Sequence, residues 1–314
     1  MKNLNNKQPL MIEQVFTLKP QHSEVQVRVE WVPPAPFDVY QADAGLMAQF
    51  AQSLGDSGAG TVVAVGPNVK HLKVGDQVFG LPFHNEKGKG HRCFAMSAVV
   101  TLPTNFCTAF LTLSDKLGIE LLGLDIPILI GGAGSSVGQF AVQILKHWGY
   151  RNIITTASPK HHDKIKGYGA KHIFDYRDPT IVDLINHSIS SWSSLVNIRV
   201  FDCADSKFGS LLPISKIVSA DVSNEAALAP GVEVHESLLG NYLQPETMPT
   251  LLAQGAIEPN MQCLMEGNTL MERARTALNI MRSGTVSGER FVWKFYFDVR
   301  FAITPLARIG IDSM

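Results

Sequence analysis

Cysteine is scarce in this chain and never closely paired. The four cysteines, Cys93, Cys107, Cys203 and Cys263, form no Cys-x-x-Cys motif, and their spacings fit neither a zinc knuckle nor a disulfide framework. They read as buried or incidental thiols, because free cysteine behaves as a small core hydrophobe. No apolar run reaches the length of a membrane span, and the opening MKNLNNKQPL lacks the apolar core of a signal peptide. The expectation is a cytoplasmic protein without a membrane partner. An excess of either charge is missing too: the net charge of −1 gives no general attraction to nucleic acid or anionic lipid. Tandem repeats and low-complexity tracts are also absent. Core-forming material is plentiful, at 45% hydrophobic against 18% charged residues, enough in 314 residues for one large or two ordinary globular domains.

Along the chain the patterning changes character twice. EVQVRVEWV (24–32) alternates Val25, Val27, Val29 and Trp31 on one face, the period of a half-buried strand. PPAPF (33–37) is too rich in proline for a regular element. Residues 59–80 give two strand-like runs broken by turn signals at GPN and VGD. From about 105 the pattern alternates. FCTAFLTLSDKLG (106–118) suits a helix, ILI (128–130) a buried strand, QFAVQILKHW (139–148) a helix and NIITTA (152–157) a strand. In SPKHHDKIKGYG (158–169), Ser158 suits a helix N-cap, Pro159 the first helical position and a glycine the stop. HIFDY (172–176) and RVFDCA (199–204) are further strands. Strands and helices alternating at this spacing predict parallel βαβ units in a doubly wound sheet. Near the end, Met271, Ala274, Ala277, Leu278 and Met281 form a core-facing helical stripe, and ERFVWKFYF (289–297) reads as a strand.

GGAGSSVG (131–138) sits between the buried strand and the first helix of the alternating region. Glycine-rich strings are common in structural turns, but here both flanks and the next strand are in place. Glycines allow a tight turn and a close approach of the backbone to a pyrophosphate, whose charge sits on the helix N-terminus. The end of the following strand selects the dinucleotide. An NAD site places an acid there, roughly 20 residues past the glycines, to hold the ribose 2′-hydroxyl. This chain has Ala157, Ser158, Pro159, Lys160 and His161, with no acid before Asp163. A hydroxyl, an ammonium and an imidazole suit a 2′-phosphate, so the cofactor expected is NADPH. Taken singly, Ser158 also fits a helix cap and Lys160 a solvated charge.

Taken in order, EVQVRVEWV, GDSGAGTVVAVGPNVKHLKVGDQVFG, TLPTNFCTAF, ILIGGAGSSVGQFAVQIL, TTASPKHHDKI, GAKHIFDYRD and SGERFVW resemble the medium-chain dehydrogenase/reductase superfamily. The resemblance is to its zinc-independent enoyl reductase and quinone oxidoreductase branch, with fungal-type trans-acting enoyl reductases the expected kin. It implies an α/β protein: a Rossmann doubly wound parallel sheet over 118–255 and a GroES-like β-rich substrate domain built from both chain ends, 1–117 and 256–314. It further implies that Gly134, Ser135, Ser136, Val137 and Gly138 meet the pyrophosphate. Ser158, Pro159, Lys160 and His161 would meet the adenosine 2′-phosphate, with Tyr176 beside the adenine ribose. Thr108 would lie near the nicotinamide, as would Val286 and Ser287. Tyr176 also fits a plain strand residue and Thr108 a core helix residue.

The metal-dependent branch carries a Cys after its first long strand and a Gly-His-Glu further on. Here Phe37-Asp38-Val39-Tyr40 and Gly55-Asp56-Ser57 stand in those places, a poor donor set for tetrahedral zinc. No metal is expected. Reduction of an activated C=C proceeds without one: hydride goes to the β-carbon, donors hold the developing enolate, and an acid or water protonates the α-carbon. Tyr40 is the candidate donor, with Asp38 beside it; Tyr40 fits a packing aromatic equally well. The expected substrate is a small-molecule or carrier-bound unsaturated carbonyl of secondary metabolism, delivered by a partner polyketide synthase.

Four departures accompany the resemblance. Ser97 and Ala98 join HRCFAM to VVTLPTNF almost directly, the stretch after Asp205-Ser206 is shortened, the strands before residue 20 are short, and FDVRFAITPLARIGIDSM (297–314) matches no expected segment. These predict a Rossmann sheet short of a strand and a pocket open on the nicotinamide side. Two further readings follow: a non-redox isomerase or cyclase on the same scaffold, and a nucleotide-binding relative without turnover.

Overall fold

The alternating valines form a strand in the computed structural model, which describes residues 19–22, 24–45, 54–55, 57–81, 89–92, 96–119, 126–190, 198–203, 214–219, 247–294 and 306–310. Two compact units emerge. One is drawn from Met1–Thr104, Leu243–Thr250 and Pro259–Met314, the other from Asn105–Tyr242 and Leu251–Glu258.

The first unit begins with β1 (Glu24–Val32), α1 (Pro36–Ala44), β2 (Gly58–Val65), β3 (Gln77–Leu81), β4 (Lys89–Arg92) and α2 (Met96–Val99). Later segments add β10 (Met261–Leu264), α8 (Leu270–Arg282), β11 (Glu289–Lys294) and β12 (Leu306–Gly310). The strands form a seven-stranded sheet in the order β10-β11-β1-β2-β3-β4, with β12 on β1. Pairing is antiparallel except between β10 and β11. Val25 and Val27 pack with Val62, Leu72 and Val78, so the period-2 face is the buried one. On α8, Ala277 and Leu278 are buried, and Ala274 and Met281 pack against Met265, Phe291 and Trp293.

PPAPF is not wholly irregular: α1 begins inside it, with Pro36 in its first turn. Proline is tolerated there because its missing N–H would lack an intrahelical acceptor anyway.

The second unit holds α3 (Pro103–Leu111), β5 (Ile128–Gly131), α4 (Ser136–His147), β6 (Ile153–Thr156), α5 (His162–Tyr168), β7 (His172–Phe174), α6 (Ile181–Ile189), β8 (Ile198–Asp202) and β9 (Ile214–Ser219); α7 (Thr247–Ala253) follows. Its sheet runs β7-β6-β5-β8-β9 and is parallel throughout, a Rossmann order. Ile128, Leu129 and Ile130 are wholly buried, which explains a continuous apolar run where an alternating one would mark a solvated face. Leu129, Ile154 and Val200 pack on Ile181 and Ile185 of α6. Phe106 of α3 meets Phe140 of α4 edge-on at 6.0 Å between ring centroids.

The shortened segments require a correction. The stretch following β8 still yields a strand, since β9 pairs with β8 from Ile198↔Ile214 to Asp202↔Ser219. The unmatched tail also supplies β12, which covers β1 over Glu24–Arg28. Both form through lateral pairing, which no local pattern announces. Asp56, Cys93, Asp205 and Ser206 lie outside the described residues. Cys107 is buried, and Cys203 and Cys263 are partly buried free thiols. Among the described residues no helix is long and apolar enough to cross a membrane.

Candidate functional site

At the end of β5 the chain turns at Gly132, whose φ of 69° lies in the region that favours glycine. The turn is strapped to β6: Gly132 N donates to Thr156 Oγ1 at 3.0 Å and Ala133 N to Thr156 O at 2.8 Å. Ser135 is the N-cap of α4, its Oγ accepting from Gly138 N at 3.1 Å. Gln139 Nε2 donates to Gly134 O at 3.1 Å. A Cβ on Gly138 would lie 2.5 Å from Gly132 O and 2.7 Å from Ala133 Cα, so only glycine fits. Ser135, Ser136 and Val137 stay partly exposed at the start of α4. There, the N–H groups of a first helical turn and the helix dipole favour an anion.

The second turn leaves β6 at Ala157, whose N–H bonds Phe174 O at 2.9 Å. Ser158 stands at the N-cap position expected of it, with Pro159 in the first turn after it. The chain first makes a tight turn over Pro159–His161, and Ser158 makes no side-chain cap bond. Its Oγ instead donates to Tyr176 Oη at 3.4 Å. Pro159 and Lys160 are exposed. His161 brings the two turns together: a Cβ on Gly134 would lie 3.0 Å from the His161 ring, so glycine lets the imidazole close over the loop. Tyr176, 49% exposed, is more open than a strand-core residue would be. On α3, Thr108 is half-buried while Asn105, Phe106, Cys107 and Ala109 are buried.

In the other unit, Asp38 is buried and spends both carboxylate oxygens on backbone: Oδ2 accepts from Ala35 N at 2.7 Å and Oδ1 from Gly55 N at 2.8 Å. Tyr40 is half-buried on α1, which is tied to α8 by a two-point bond from Arg282 to Asp43. Val286 packs on the Met265, Ala277, Phe291 and Trp293 cluster, and Ser287 is half-buried just before β11. These contacts bear on a metal. Where the zinc-dependent pattern would join two stretches through an ion, Asp38 and Gly55 are joined directly, and Ser57 Oγ is bonded to Thr104 Oγ1 at 2.5 Å. Among the described residues the donors at these places do not fit zinc, which needs thiolate, imidazole or uncommitted carboxylate ligands.

Sequence reasoning passed over several supports of the site. Thr156 and Gln139 hold the glycine turn and carry no motif of their own. Arg177 grips Asp175 next to Tyr176, and the Arg177 hydrogen bond holds the Asp175 carboxyl below the usual carboxylate range. The adjacent Asp, Tyr and Arg in GAKHIFDYRD were the available signal.

Residues 21–137 match the family model of the alcohol dehydrogenase GroES-like domain. The chain is 28% identical over 304 residues to the trans-enoyl reductase tazE of Aspergillus terreus, spanning 87% of this chain and 93% of that protein. It is 30% identical over 296 residues to the trans-enoyl reductase tndF of Aspergillus flavipes, spanning 85% of this chain and 79% of that one. Among solved structures it is similar to the quinone oxidoreductase of Escherichia coli complexed with NADPH. That match has a TM-score of 0.68 and 19% identity over 90% of this chain and 95% of the other. At that identity the likeness is one of fold.

Proposed function

Because the chain belongs to the medium-chain dehydrogenase/reductase superfamily, in its zinc-independent enoyl reductase and quinone oxidoreductase branch, we propose that it is an NADPH-dependent reductase of an activated C=C. The observation that carries the cofactor reading is the meeting of the two turns. Gly134 lies under His161, Ser158 is bonded to Tyr176, and no carboxylate stands between Ala157 and His161.

Ser135, Ser136, Val137 and Gly138 would hold the pyrophosphate on the start of α4, with Gly134 permitting its close approach. Ser158, Pro159, Lys160 and His161 would surround the 2′-phosphate, and Tyr176 would flank the adenosine. Thr108, Val286 and Ser287 would serve the nicotinamide end. When bound, NADPH supplies the hydride that the β-carbon of an enone or enoyl thioester accepts.

The remaining chemistry belongs to the protein. Tyr40 donates a hydrogen bond to the substrate carbonyl oxygen as negative charge develops there. A proton from an acid or water then reaches the α-carbon. Asp38 acts as a positioning residue, since its two backbone bonds fix the start of α1 and hence Tyr40. The substrate is a small or carrier-bound unsaturated carbonyl of secondary metabolism supplied by a polyketide synthase; the trans-enoyl reductase names of both relatives support the unsaturated acyl class.

The test is to follow NADPH absorbance with purified protein and a panel of enones, enoyl thioesters and quinones. Oxidation with an enoyl thioester or enone is expected. Cofactor binding without oxidation, alongside conversion of substrate, would replace reduction with an isomerase or cyclase role.

A further inference from the structure

The absence of an acid in the Ser158–His161 turn does not by itself clear the site of negative charge. Asp175 directly follows β7, whose Phe174 O bonds Ala157 N at the foot of that turn. It adjoins Tyr176, and its carboxylate interacts electrostatically with His162. Left alone, that carboxylate would repel a 2′-phosphate bound beside Ser158 and Tyr176.

Arg177 is placed to prevent this. Its Nε and Nη2 donate to Asp175 Oδ1 and Oδ2, both at 3.0 Å, and its backbone N donates to Oδ1 at 3.1 Å. The same guanidinium lies over the Tyr176 ring, its Cζ 5.4 Å from the centroid. A neighbouring carboxylate, Asp178, is occupied by the N–H and hydroxyl of Thr180. Arg177 has an exposed side chain, so its pair with Asp175 contributes little stability. Its value lies in where it places charge.

We propose that Arg177 is a positioning residue for cofactor choice: it neutralises Asp175 and holds Tyr176, so that the end of β7 accepts a 2′-phosphate. The inference rests on the NADPH reading above and adds a residue and a reason to it. One structural unit contains every group it uses.

The experiment measures affinities for NADPH, NADH and 2′,5′-ADP in the wild type, Arg177→Met, Asp175→Asn and the double variant, by fluorescence and calorimetric titration. Arg177→Met should weaken NADPH and 2′,5′-ADP about five- to tenfold and leave NADH within about twofold, the range for one unscreened charge near the surface. Adding Asp175→Asn should restore at least about threefold of the loss, and raising the salt should shrink the defect. A purely structural arginine would weaken both dinucleotides alike, and Asp175→Asn would not rescue it. That result overturns the inference while leaving the NADPH reading intact. A folded wild type with no preference for NADPH overturns both. Thermal unfolding of each variant shows whether it is folded.

Discussion

At the glycine turn, local bonds and close backbone packing do the holding: Gly132 N donates to Thr156 Oγ1, Ala133 N to Thr156 O and Gly138 N to Ser135 Oγ, and no Cβ fits at Gly138. Around Tyr40, side chains that reach across the chain do it: Asp38 accepts from Ala35 N and Gly55 N, and Arg282 clamps Asp43. The two constructions fail differently. A close-packed glycine turn does not tolerate an added atom at its close contacts. A side-chain frame is vulnerable to single substitutions, and by the same token can be retuned by them.

The largest effect expected is from Gly138→Val. Its Cβ would lie 2.5 Å from Gly132 O, so the start of α4 must shift. The expected cost is about 3 kcal/mol or more in unfolding free energy, together with loss of NADPH binding, both read by thermal and fluorescence titration. Unchanged binding would break the cradle account. Next, Tyr40→Phe should lower kcat about a hundredfold through loss of one donor to the developing oxyanion, with NADPH affinity unchanged. Full activity in steady-state assays would return Tyr40 to plain packing.

Asp38→Asn sharpens the contrast from the other side. An amide keeps one acceptor but turns its NH₂ toward a backbone donor, leaving a buried N–H without its acceptor. Denaturant unfolding should show a loss of about 2 kcal/mol, while NADPH affinity holds. Loss of NADPH affinity with no loss of stability would contradict the frame role.

The same division explains what could be read in the sequence. The cradle was legible because its requirements are local: a buried strand, glycines and a helix, in that order over 128–147. The hydrophobic faces of β1 and α8 were legible for the same reason, from periodicity alone. Contacts made across the chain were not. The Asp38 bond to Gly55 spans 17 positions, and the Ser158 bond to Tyr176 spans 18. The N-cap place of Ser158 was legible from its residue type and the proline after it, but not that its hydroxyl makes no cap bond and turns to Tyr176 instead. Strands β9 and β12 escaped notice because each is defined by the strand beside it. Helix α1 was hidden by reading prolines as breakers where one of them was a start.

The central claim is that the joined turns form an NADPH site selected by the 2′-phosphate. Parallel fluorescence titrations of NADPH and NADH, on wild type and Lys160→Ala at one fixed salt concentration, test it most directly. The account predicts tighter binding of NADPH by the wild type, with about a tenfold loss for NADPH in the variant and NADH within about twofold. Equal affinities in the wild type, or equal losses for both dinucleotides in Lys160→Ala, would contradict it.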